Sequence, residues 1–439
     1  MSERRVVITG LGVVTAGGTG IEELFENICA KKQSVKRIDL FDPSGFPCQV
    51  AGQLDDFSAS KFVPRNYRKA VKVMARDIEI AVAAADLAVR NAGITTRGID
   101  EQNIDVESNR FGCNIGAGLI CADLNELGSA INTSVTDGNF DFKKWGAEGI
   151  NNLTPLWLLK YLPNMLACHV TIIHGAKGPS NTITCGEASG YLAAGEAART
   201  IARGAADVAI AGGAESKVNP MNLLRQTLLG RVATGGNDQP GQACKPFDAD
   251  ADGTVIGEGG GLLILEDQAR ADERNSRVYA EFAGFGSACD PDGMNYLEAP
   301  KGDGLVRAIS AAIADAGISP DQISLIIPHG TGVPAEDATE ADAIVRALGE
   351  RADTVAVSPL TGGFGNLFAG AGAVQIAVAA MALHKQTIPP AVNFEKPADN
   401  CRMNVRKEPA EAKLQYALCC AHATGGQNAA VILKRYEGD

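Results

Sequence analysis

Nothing in the 439-residue chain approaches the run of about 20 apolar residues that a membrane-spanning helix needs. Nor does it carry the apolar region of a signal peptide, because the start MSERRVVITG sets charge beside a short β-branched run. The expectation is a globular protein of the cytoplasm with no membrane partner. No pair of its 11 cysteines has CxxC spacing and no Cys/His cluster has metal-ligand spacing, which argues against a zinc site and against a disulfide framework. A basic excess is missing as well: the net charge is -12, so general binding of nucleic-acid phosphates is not expected. No metal and no cofactor is expected. The repeated aspartates of FDADADG have no glutamate where a calcium loop requires one. GEGGG at 257–261 has no following Lys-Ser/Thr, so it reads as tight packing before a strand and not as a phosphate loop.

What is present is size and apolar pattern. Hydrophobic residues make up 45% and charged residues 21%, enough for a large core or a fused pair of halves. VVITGLGVVTA reads as a buried strand followed by a helix, IEELFENICA. Residues 76–92 have Ala-rich helical spacing that stops at Gly93, followed by a strand at 111–118. Residues 305–317 repeat the helix and glycine stop, and 324–332 repeat the strand and glycine loop. TITCGEASGYLAAGEAARTIARGAADVAIAGG and VAVSPLTGGFGNLFAGAGAVQIAVAAMALHKQTIPP form a second matching pair of strand, Gly-rich turn and Ala-rich helix. Such self-similarity points to duplication. The halves are expected at 1–268 and 269–439, with their small-residue helices packed as a layer between two sheets.

Eight strings match one known family in order and spacing. They are VVITGLGVVTAGG at the start, FDPSGFP at 41–47, GPSNTITCGEASG at 178–190, ADVAIAGGAES at 206–216, KPFDADADGTVIGEGGGLLILED at 245–267, HGTGVPAEDATEADAI at 329–344, GNLFAGAGAV at 365–374 and GGQN at 425–428. Through them the chain resembles the type II β-ketoacyl-acyl-carrier-protein synthases. The resemblance implies an α/β thiolase-like fold in five αβαβα layers, built from two pseudo-duplicated halves and usually dimeric. It also implies acyl-thioester condensation in fatty acid or polyketide biosynthesis. The family uses a cysteine at a helix N-terminus, where free N–H groups stabilise thiolate and oxyanion, together with two histidines and a lysine.

Carried onto this chain, those positions are largely changed. Counting from Gly178 and back from Gly190 both place the nucleophile at Glu187. The first histidine is His329, the second falls on Asn366, and the lysine on Thr361. Cys185, two residues early, reads as a structural thiol on the approaching strand. Glutamate is a poor acyl acceptor, so condensation is expected to be lost. Three readings of Glu187 stand open: a mimic of an acylated cysteine, as glutamine is in chain-length-factor subunits; a general base near His329, raised toward neutrality by burial; or a carboxylate that only caps its helix.

Two functions follow. One is a non-condensing, chain-length-factor-type partner of a cysteine-bearing ketosynthase, as a heterodimer or alternatively a homodimer. The other is an enzyme in its own right, a malonyl-carrier-protein decarboxylase or another acyl-thioester catalyst using Glu187 and His329, with Asn366 still able to donate to a carbonyl. Finally, Arg65, Arg68, Lys69, Lys72 and Arg76 recur every three or four residues and are expected on one helical face. Related enzymes dock an acidic acyl carrier protein on a basic helix at this place; the alternative is a solvated face.

Overall fold

A computed structural model describes residues 4–291 and 301–438. Strand β1, Val6–Thr15, is buried at every position, as its unbroken apolar and glycine run requires of a strand covered on both faces. Glycine is obligatory at one point of it: a Cβ on Gly12 would stand 2.1 Å from the Ala84 carbonyl oxygen of the helix lying across the strand.

Ten strands carry the architecture: β1, β2 (Phe111–Ala117), β3 (Ser180–Ile183), β4 (Val208–Ser216), β5 (Glu258–Asp267), β6 (Ala280–Cys289), β7 (Ile323–Ile327), β8 (Ala356–Val357), β9 (Tyr416–His422) and β10 (Gln427–Lys434). The first five lie in the order β1-β5-β4-β2-β3 and the last five in the order β6-β10-β9-β7-β8. Both sets run antiparallel, antiparallel, parallel, parallel from their first strand outward. One set is therefore a topological copy of the other. They meet edge to edge through two residue pairs, Val7 with Glu281 and Ile8 with Ala280.

The helices repeat in the same way. Helix α1, Arg76–Asn91, and helix α3, Asp303–Asp315, follow the first strand of each set. Each stops just before a glycine in the left-handed region, Gly93 and Gly317, both with φ of 65°. Helix α2, Ser189–Ala202, and helix α5, Ala371–Lys385, follow the third. Helix α4, Pro334–Leu348, adds to the outer face of the second set.

Alternation along single strands shows the layers. Leu263 and Leu265 of β5 join the central core with Ala429 and Val431 of β10, while Leu262 and Ile264 pack with α1 outside. On the other sheet Cys419 and Ala421 face the centre, and Leu418 and Cys420 face α3 and α4. Helices outside, between and outside again give the five αβαβα layers expected from the sequence. Each Leu or Ile fully buried in them contributes about 1.5–3 kcal/mol before chain entropy is counted.

The middle layer explains the Ala and Gly content of α2 and α5. A Cβ on Gly190 would lie 2.9 Å from the Ala369 carbonyl oxygen, and one on Gly372 2.6 Å from the ring of Tyr191. A buried polar link crosses it: Tyr191 donates to Gln375 Oε1 at 2.7 Å, and Gln375 Nε2 donates to the Pro328 carbonyl at 2.8 Å. Contrary to the expectation from apolar run length, the segment Phe368–Lys385 is long and apolar enough to cross a bilayer, but 89% of it is buried inside the protein.

Candidate functional site around Glu187 and His329

Strand β3 runs into a short 3-10 turn, Gly186–Ala188, which starts α2. The turn is fixed by Ser189, whose Oγ accepts the Cys185 N–H at 2.8 Å and donates to the Gly186 carbonyl at 2.7 Å. Glu187 sits in the turn with 3% of its surface exposed. The N-cap position of α2 is taken by Ala188 and not by Glu187. Glu187 Oε1 accepts from Arg231 Nη2 at 2.8 Å.

Arg231 is itself buried and uses the rest of its fork on Glu336, Nε to Oε1 at 2.7 Å and Nη2 to Oε2 at 2.9 Å, and on Gln226 Oε1 at 3.1 Å. One guanidinium thus faces two carboxylates. Burial pulls against ionisation of Glu187, but the charge of Arg231, then that of His329 and the Arg231 hydrogen bond, hold it down at about 2. The rise toward neutrality that burial alone would produce does not occur. Burial likewise opposes the charge on Arg231, and Glu336 and Glu187 more than reverse it.

His329 lies just beyond β7 and is fully buried. Its loop is clamped from α4. Glu340 accepts the N–H groups of His329 and Gly330 at 2.8 Å each, and Asp337 accepts those of Thr331 at 2.8 Å and Phe247 at 2.8 Å. Burial pushes Glu340 up to about 8 and Asp337 up to about 7, the backbone donors working against it. Burial also takes the His329 imidazole down to about 4, with Glu187 opposing, so the ring is neutral at physiological pH.

Both ring nitrogens of His329 lack a hydrogen-bond partner among the described residues. Next to it stands His422 at the end of β9, ring centroids 6.4 Å apart and edge-on. His422 Nε2 is also buried and unpaired, as is Asn366 Nδ2. Asn366 Oδ1 accepts the Phe368 N–H at 2.9 Å, which leaves the amide as the free end. Thr361 Oγ1 donates to the Gly330 carbonyl and reaches no carboxylate. Phe368, at a left-handed φ of 50°, closes the group with its ring 5.9 Å from the Arg231 guanidinium and 5.3 Å from Lys217 Nζ. The turns Phe368–Gly370 and Gly186–Ala188 pack on each other.

The descriptions "Beta-ketoacyl synthase, N-terminal domain" and "Beta-ketoacyl synthase, C-terminal domain" match residues 3–271 and 279–395. The chain belongs to the β-ketoacyl synthase family. A curated relative, 3-oxoacyl-[acyl-carrier-protein] synthase 2 of Synechocystis, is 32% identical over 438 residues, covering 100% of this chain and 99% of its own. Among solved structures, the ishigamide ketosynthase/chain length factor superposes with a TM-score of 0.83 at 27% identity, covering 99% of this chain and 100% of the other. A type II polyketide acyl-carrier protein in complex with its ketosynthase, bound to a hexaketide, gives a TM-score of 0.83 at 26% identity with the same coverage.

Within this synthase-family chain Glu187 lies within electrostatic reach of His329, Thr361 bonds the loop that follows His329, and Asn366 bonds the turn that packs on Gly186–Ala188. Arg231, Glu336 and His422 complete the site and were not singled out from the sequence. A lone arginine in the apolar stretch LLGRVA was a usable sign of a buried cation, and His422 is one of only five histidines.

The basic cluster departs from expectation. Residues Arg65–Val73 wind as a 3-10 helix, in which i and i+3 eclipse, so Arg65 and Arg68 project on one line and Lys69 and Lys72 on another. Those four are exposed. Arg76 is not part of the array. It opens α1 and grips the fully buried Glu258, Nε to Oε2 at 2.9 Å and Nη2 to Oε1 at 3.1 Å.

Proposed function

We propose that this chain is a ketosynthase-family protein of fatty acid or polyketide biosynthesis that does not condense, and that it works as a chain-length-factor-type partner of a cysteine-bearing ketosynthase. The observation that carries this reading is the pairing of Glu187 with Arg231. A carboxylate held at about 2 is a weak nucleophile toward a thioester and a poor general base at neutral pH. Asn366 and Thr361, in the places the family gives to histidine and lysine, point the same way. The likeness to the ishigamide ketosynthase/chain length factor supports it.

In this reading Arg65, Arg68, Lys69 and Lys72 receive an acidic acyl carrier protein. The second subunit covers the apolar residues left open across 119–159 and in helix Pro220–Leu228, among them Phe142, Leu156 and Leu228, exposed by 81%, 75% and 76%. Cys121 Sγ, which accepts from Arg225 Nη1 at 2.8 Å, ties the two segments into one face.

A second reading has an observation of its own. The full-length likeness to proteins named 3-oxoacyl-[acyl-carrier-protein] synthase 2 favours an enzyme, in which His329 and Glu187 act on an acyl thioester. One experiment separates the two. The purified chain is incubated with acyl- and malonyl-carrier protein, alone and after co-expression with a cysteine-bearing ketosynthase, and products are read by mass spectrometry. The partner reading expects no product alone and an altered chain length in the pair. Turnover by the chain alone, abolished by His329→Ala, overturns it.

A further inference from the structure

Four polar atoms are buried without a partner among the described residues: His329 Nδ1, His329 Nε2, His422 Nε2 and Asn366 Nδ2, the last of them two residues before the turn Phe368–Gly370 that packs on the Glu187 turn. Buried polar atoms are almost always paired, so a cluster of four marks a place where something else supplies the partners. His422 is the new member of this group. It is 5% exposed, it comes from β9 and not from either turn that carries the family's positions, and its ring meets that of His329 edge-on at 6.4 Å.

The charge around these atoms selects what they can hold. Arg231 brings one positive charge; Glu187 and Glu336 bring two negative ones, so the triad retains an uncompensated negative charge. The imidazoles do not offset it, because burial lowers the affinity of both His329 and His422 for a proton. A neutral imidazole offers one N–H donor, and Asn366 adds its amide. Neutral donors suit a carbonyl oxygen. A carboxylate brought here would give up its hydration and meet like charge.

We propose that His422 is a specificity-determining residue that, with His329 and Asn366, holds a neutral carbonyl oxygen of an acyl thioester, while the excess negative charge of Glu187, Arg231 and Glu336 turns away a malonyl carboxylate. This rests on the reading of these residues as an acyl-thioester site. It goes beyond that reading in naming the residue that binds and the class of thioester refused.

The test uses the whole chain and two small probes, S-acetoacetyl pantetheine and S-malonyl pantetheine, titrated by calorimetry. The wild type is expected to bind the acetoacetyl ester and to bind the malonyl ester at least about ten-fold more weakly, the scale of one lost charged or buried hydrogen bond. His422→Phe should weaken the acetoacetyl ester by about ten-fold and His422→Gln, which keeps a donor, should recover most of that. Glu336→Gln should strengthen the malonyl ester and so narrow the difference between the two esters. If His422→Phe fails to fold, the Glu336→Gln arm still decides the charge argument. Equal affinity of the two esters, or an acetoacetyl affinity indifferent to His422, overturns the inference and leaves the acyl site standing. Binding of neither ester overturns the site as well.

Discussion

Both carboxylate oxygens of Glu340 are committed to the backbone that carries His329, one to its own N–H and one to that of Gly330, each at 2.8 Å. The residue that orients the histidine is therefore a fully buried acid held by backbone N–H groups.

That arrangement predicts a pH dependence. Burial raises Glu340 to about 8, so the folded state holds its proton more tightly than the unfolded one. Its contribution to stability is complete below the unfolded carboxyl value, falls as pH rises, and is lost on passing through about 8. Asp337, raised to about 7, adds in the same direction. The melting temperature should decline between pH 6.5 and 8.5, and Glu340→Gln should flatten the decline, as thermal scans across that range would show.

Arg231 is the cation on which two carboxylates depend. Arg231→Met should destabilise the chain by about 3 kcal/mol in denaturant titrations, because it strands Glu187 in the interior. Adding Glu187→Gln and Glu336→Gln to that variant should recover most of the loss. The depressed Glu187 works with pH in the opposite sense to Glu340. Its stabilisation is present above the unfolded value and disappears as pH falls through about 2, so Glu187→Gln should blunt acid unfolding below pH 4.5.

The partner reading expects that a thiol at position 187 does not by itself give condensation. Glu187→Cys alone leaves Asn366 and Thr361 without the acid–base and charge roles of the family's histidine and lysine. The triple variant with Asn366→His and Thr361→Lys should exceed the single variant by at least about 100-fold in β-ketoacyl product, the lower end of what positioned acid–base groups contribute. Mass spectrometry of carrier-bound product measures this directly.

The four exposed cations and Arg76 should separate cleanly. Arg68→Glu with Lys69→Glu should weaken acyl carrier protein binding by about ten-fold at low salt and flatten its salt dependence, since exposed charges act mainly through screened attraction. Melting temperature should stay the same. Arg76→Ala should do the reverse, lowering the melting temperature because it uncovers the buried Glu258.

What could be read in advance follows from the range of the forces involved. Local pattern carries the paired helices ending at Gly93 and Gly317, because a helix stop is written within a few residues. Motif order names Glu187, His329, Asn366 and Thr361 as candidates. The Arg231 triad was beyond reach for the opposite reason: its acids lie 44 and 105 residues from the arginine, and nothing local announces the pairing. The winding of Arg65–Val73 is not legible in advance because spacings of three and four fit a 3-10 turn and an α-helix alike over so short a stretch.

The helices of the middle layer lean on each other at Gly190, Tyr191 and Gly372, one contributed by each topological copy. A side chain that enlarges one copy is felt at once by the other, so the two have a single tolerance for volume. Whatever freedom the duplication offered for divergence lies in the outer helices and in the rim of polar residues where Glu187, Arg231 and His422 meet. Novelty in this molecule is confined to its seams.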